Sequence, residues 1–129
     1  MDPFLARRTL AQARLAIGVG ALVAPRLTGR LMGIDPAANP AAPYLARIFG
    51  ARELYMAVPF LMPTPSLDEA ELASRAVAVD AVDAAASLMA GLRGYVPWRA
   101  AFPATLAGVV GAWLGTVAAR NDTRAVIPN

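Results

Sequence analysis

The stretch LASRAVAVDAVDAAASLMAGL, residues 72–92, sets two aspartates, Asp80 and Asp83, in a run made mostly of alanine, valine and leucine. Read as a helix, it carries the two carboxyl groups three residues apart on one face, with Ala76 and Ser87 on the same stripe. A helix needs about 20 residues to cross the hydrocarbon of a bilayer, and this run has that length. A single charge in hydrocarbon costs about 2.5–3.5 kcal/mol on insertion scales. The segment is therefore not expected to insert alone. It needs partner helices that bring opposite charges, and a small, polar face lets such a partner approach closely.

Three further segments of similar length supply those partners. They run over residues 4–24, 44–62 and 101–119, so the chain predicts four spans. The last, AFPATLAGVVGAWLGTVAA, carries no charge and is the clearest crossing. Alanine and leucine dominate, which favours helix over strand. Pro25, Pro43 and Pro63 stand at segment ends, where a helix must start or stop. The expected architecture is all-α: one domain over residues 1–129, a four-helix transmembrane bundle with a short interfacial helix between the first two spans. That short helix is read from RLTGRLMGID, residues 26–35, with Leu27, Leu31 and Met32 on one side and Arg26 and Arg30 on the other. Ser66 or Asp68 can cap the third span. Tyr95 and Trp98 beside Arg93 and Arg99 form an interface anchor. Arg7 and Arg8 followed by an apolar run resemble a signal peptide, but Pro25 after Ala24 is a poor cleavage context, so an uncleaved first span is expected.

Composition agrees. The 129 residues are 57% hydrophobic and only 16% charged, with a mean hydropathy of +0.48, whereas soluble chains carry about 25% charged residues. There is no cysteine and no histidine. Disulfides, thiolate chemistry, a histidine base and the commonest metal ligand are all excluded. The twelve basic residues are all arginine and the net charge is +3. No contiguous basic face with aromatic readers stands out, so nucleic acid is not an expected partner. The expected partner is the lipid bilayer, and the expected location is the inner membrane of a bacterium, multi-pass. Arg7, Arg8, Arg75, Arg120 and Arg124 fall on the side of the termini, against Arg26, Arg30, Arg93 and Arg99 opposite, a slight bias towards cytoplasmic termini.

With Arg7, Arg8 and Arg75 assigned to the side of the termini, six ionisable residues remain inside the apolar segments: Arg14, Arg47, Arg52, Glu53, Asp80 and Asp83. Three are positive and three negative, so they can cancel. In ARIFGARELYMAV, residues 46–58, Ala46, Gly50, Glu53 and Ala57 share one flank, with Arg47 at its margin and Arg52 pointing well away. Arg47 and Glu53 are expected to share one interior, while Arg52 faces another neighbour. Glu53, Asp80 and Asp83 are the candidate acid/base residues. Arg47, Arg52 and Arg14 are the candidate binding residues, with a snorkelling course to lipid phosphate open to Arg14. The bland alternative is that all six are structural ion pairs, Glu53 meeting Arg14 or Arg52. A lone DAVD carries no metal site, and no cofactor motif is present. Gly108, Gly111 and Gly115 form a small-residue face for a helix seam or for a homo-oligomer.

Arg14 to Gly18 (R-x-x-x-G), Arg47 to Leu54 (R-x-x-G-A-R-E-L) and Asp80 to Asp83 (D-A-x-D) together resemble a family of short four-helix bacterial and fungal membrane proteins of unknown function, loosely similar to DoxX-like proteins. That resemblance implies the four-helix membrane fold and no activity. Small fungal membrane enzymes of similar size open epoxides or cyclise terpenoids with buried acids, an analogy of architecture alone. Two functions follow. One is acid/base conversion of a lipophilic small molecule (isomerase, cyclase or epoxide-opening type), with a cavity between the second and third spans. The other is a non-catalytic structural or accessory membrane subunit whose charges pair helices and leave no cavity.

Overall fold

The computed structural model describes residues 1–62 and 68–120. Among the described residues there are five α-helices and no strands: α1 (Pro3–Val23), α2 (Pro25–Leu31), α3 (Ala42–Leu61), α4 (Glu69–Leu92) and α5 (Trp98–Ala118). Local chemistry fixes their ends. The Asp2 carboxylate accepts from the backbone N–H of Phe4 at 2.8 Å and of Leu5 at 3.3 Å, and Pro3 opens the first turn of α1 without losing a bond. Pro25 forces Ala24 out of the helical region, to φ −126° and ψ 59°, so that α1 stops and α2 starts around one residue. The Asp68 carboxylate caps α4 through Ala70 and Glu71. Ser66, the other candidate cap, lies outside the described residues, as does Arg124.

Two helices end on glycines with positive φ, Gly33 at 76° after α2 and Gly94 at 71° after α4. Each sits in a reciprocal pair of backbone bonds: Ile34 to Gly29 with Gly33 to Arg30, and Tyr95 to Ala90 with Gly94 to Gly91. A side chain at either position would be strained. The third and fourth long helices begin three residues before the expected starts of 72 and 101. Their first turns hold Glu69, Glu71, Trp98 and Arg99, polar or amphipathic residues that hydropathy alone reads as loop. Pro59 and Pro103 lie inside α3 and α5 and not at their ends. Each forgoes one backbone bond near a helix terminus.

The four long helices run alternately up and down. α1 packs along α3 and α4 along α5; the two hairpins meet mainly through α1 and α5, while α3 and α4 barely touch. α2 folds back against α3 and the end of α1. Both main seams are made by small residues. A Cβ on Gly50 would lie 2.8 Å from the Gly18 carbonyl oxygen, and one on Gly108 would lie 2.7 Å from the Asp80 carbonyl oxygen. The Gly108, Gly111 and Gly115 face is thus turned to α4. A homo-oligomer using that face would have to displace α4.

The interior is small and the exterior large. Among the described residues, eleven of the fourteen buried hydrophobic residues are alanine and no large side chain is fully buried. Ile48, Val82, Val109 and Trp113, by contrast, are each more than half exposed. Soluble proteins bury their large apolar side chains, and a continuous exposed apolar surface marks a partner or a membrane. α5 is long and apolar enough to cross a bilayer. α1, α3 and α4 match it in length, at 21, 20 and 24 residues, but they hold the ionisable groups.

Gly50→Val should break the α1–α3 seam, because the new methyls meet the Gly18 backbone, which cannot rotate away. The expected loss is about 1–3 kcal/mol, read as a lower thermal midpoint by circular dichroism in neutral detergent. At Gly20 a Cβ would meet nothing nearer than Thr28 Oγ1 at 3.8 Å, so Gly20→Ala should be neutral or slightly stabilising.

A five-residue charge network

Three of the long helices each deliver charge to one point between them. α1 brings Arg14, α3 brings Arg52 and Glu53, and α4 brings Asp80 and Asp83. Arg14 Nη1 donates to Glu53 Oε2 at 2.7 Å, and Arg14 Nη2 donates to Asp80 Oδ2 at 2.7 Å. The second Glu53 oxygen, Oε1, accepts from Arg52 Nη2 at 2.9 Å. Arg52 then grips Asp83 through both terminal nitrogens, Nη1 at 3.1 Å from Oδ1 and Nη2 on Oδ2. The result is an alternating chain, Asp80–Arg14–Glu53–Arg52–Asp83. Charge-assisted bonds of this kind are shorter and stronger than neutral ones.

Burial is graded along the chain. The side chains of Arg14 and Glu53 are 4% and 5% exposed, whereas those of Arg52 and Asp83 are 34% and 35% exposed. The network is sealed at Arg14 and opens at Asp83, where α3 and α4 part. Arg52 also lies 5.1 Å over the Phe49 ring, which adds a cation–π contact. Arg14 Nη1 has the Met56 sulfur at 3.6 Å. Arg14 Nε and Arg52 Nε are buried without a protein acceptor.

α5 contributes space. A Cβ on Gly111 would lie 2.7 Å from Asp80 Oδ2, so the Asp80 carboxylate occupies room that only glycine leaves. A second polar tie closes the end of the bundle that holds the starts of α1 and α4. Arg7 Nε donates to the Ala118 carbonyl at 2.9 Å and Nη1 to Glu69 Oε2 at 3.1 Å. It binds the start of α1 to the start of α4 and the end of α5, where a cation complements the free carbonyls. Arg7 stands seven residues before Arg14, on the same face of α1, and that spacing is the signal in the sequence that points to it.

Of the six residues singled out in the sequence, five meet and one does not. Arg14 enters the interior and does not snorkel. Glu53 pairs with both Arg14 and Arg52, and Asp80 and Asp83 take different arginines. Arg52 was expected to face elsewhere. It lies about 100° from Glu53 around the helix, but its long side chain bends back to the same point. Arg47, expected to share the interior with Glu53, is exposed. It lines a cavity of about 500 Å³ with Arg26 and Arg30, at the corner of α2 and α3. Neither this cavity nor a smaller one beside Arg99 touches the network. No family model, curated protein or solved structure matches the chain, so the resemblance to DoxX-like proteins rests on the motif residues alone.

The network behaves as a unit. Removing one charge leaves its partners buried and uncompensated, at a cost of about 3–5 kcal/mol, whereas removing a matched set is often neutral. Arg14→Met should therefore unfold the protein in mild detergent. The triple change Arg14→Met, Glu53→Gln, Asp80→Asn leaves the Arg52–Asp83 pair intact and should recover most of the lost thermal midpoint.

Proposed function

We propose that the chain is a small four-span integral membrane protein, with α1, α3, α4 and α5 crossing the bilayer and α2 lying at its surface. In this reading the protein is a structural or accessory subunit, and the charge network is the lock that holds its helices together. One observation carries the proposal: every carboxylate of the network is held by an arginine from another helix or the neighbouring residue, while most of the large apolar side chains face outward. In lipid, helices gain nothing from burying apolar surface against one another, so close packing and internal polar bonds take over. Pairing each of these charges with an opposite one also lowers the cost to α1, α3 and α4 of entering hydrocarbon that each would resist alone.

A second reading has its own observation. The network holds three carboxylates against two guanidinium groups, and the most exposed of the three acids is Asp83. An acid/base step on a lipophilic molecule arriving between α3 and α4 would use that group. The two readings separate on Asp83→Asn. As a lock member, the asparagine variant folds less stably in proportion to the lost pair, and adding Arg52→Met with Glu53→Gln, which leaves the Arg14–Asp80 pair matched, offsets that loss. As a proton donor or acceptor, Asp83→Asn keeps the thermal midpoint and changes only the handling of a bound molecule.

The membrane reading itself is tested by alkaline carbonate extraction of membranes from cells making the full chain. The protein should stay in the pellet. Its release into the supernatant would end the reading.

A further inference from the structure

Three arginines that the network leaves out converge on one groove. Arg26 and Arg30 come from α2 and Arg47 from the second turn of α3, and with Val23, Ala24, Pro25, Leu27 and Pro43 they line the cavity of about 500 Å³. None of the eight lining residues is acidic. Among the described residues, none of the three arginines makes a salt bridge. Three like charges around one hollow repel each other, and among the described residues no carboxylate lines it; Asp35 shares a separate, smaller hollow with Arg30. Arg47 is also the one charge of α3 that the interior does not take up. The groove is rimmed by apolar side chains, with Val23 at 78% and Leu27 at 56% exposure.

We infer that this groove is a phosphate-binding site, taking the phosphate of an amphiphile between Arg26, Arg30 and Arg47 with its alkyl chain laid along Val23 and Leu27. Guanidinium groups present forked donors that match phosphate oxygens two at a time, which a diffuse positive surface does not. Anionic headgroups also gather at basic segments near a membrane surface. Recognition of phosphate stands on the groove alone. The preference for an alkyl chain rests on the four-span reading.

The test uses the purified full chain in a neutral maltoside detergent, with phosphorus NMR line broadening as the readout. The probes are dodecyl phosphate and inorganic phosphate. The variants are the triple Arg26→Gln, Arg30→Gln, Arg47→Gln, the single Arg47→Gln, and a control triple of equal charge at exposed sites elsewhere, Arg8→Gln, Arg93→Gln, Arg120→Gln. Dodecyl phosphate should bind saturably and weaken with added salt. The groove triple should bind it at least tenfold more weakly, the single variant several-fold more weakly, and the control triple no differently from the parent. Tighter binding of dodecyl phosphate than of inorganic phosphate assigns the site to a lipid-like ligand. Equal binding, lost in the groove triple, assigns it to free phosphate and counts against the membrane reading but not the site. Absence of saturable binding to either probe, or equal weakening in the two triples, overturns the inference.

Discussion

Glu53 is the hinge of the molecule's electrostatics. Its two oxygens hold two arginines from opposite sides, Arg14 at 2.7 Å and Arg52 at 2.9 Å. Without that carboxylate the guanidinium groups would face each other in a low-dielectric interior, and neither could pass charge compensation on to the other. With it, Arg14 and Arg52, which hold Asp80 and Asp83 of α4, are joined into one chain. The consequence is architectural. α3 and α4 hardly pack, so the grip of Arg52 on Asp83 is what closes the fourth side of the bundle.

The rest of the sequence makes room for that arrangement. Gly18 and Gly50 let α1 and α3 approach backbone to backbone, and Gly108 does the same for α5 and α4. Gly111 leaves the volume the Asp80 carboxylate fills. An alanine-rich interior supplies little hydrophobic driving force from buried leucine and phenylalanine. Most of the bundle's large apolar side chains lie outside, where a lipid solvent would favour them. The polar ties then do the positioning: the five-residue chain in the middle and Arg7 at one end.

Much of this was legible in the residues. Prolines and Asp68 mark where helices change, and opposite charges in apolar runs of helical length point to a shared interior. Arg14, Glu53 and Asp80 are there. The exchange of roles between Arg47 and Arg52 was not legible. A helical wheel gives the direction of a Cβ atom, and an arginine places its charge several ångströms further along a flexible stem. Arg52 starts off the face and returns to it; Arg47 starts at the margin and leaves. The role of Gly111 was hidden for a related reason, since a pattern of small residues shows that something comes close without showing that it is a carboxylate. The starts of α4 and α5 were misplaced because polar first turns are invisible to hydropathy.

On the four-span reading, charge lies inside this bundle and most of its large apolar side chains meet lipid. Because the chain has no cysteine, single cysteines at Ile48, Val82 and Val109 can carry a nitroxide without background labelling. In protein reconstituted into phospholipid vesicles, power-saturation spectra should show these three sites relaxed by oxygen, which partitions into hydrocarbon, and shielded from a water-soluble nickel chelate. A label at Tyr95, in the turn before α5, should show the reverse. If the three helix sites instead relax with the nickel chelate as the turn does, they face water, and the inside-out account of this fold is wrong.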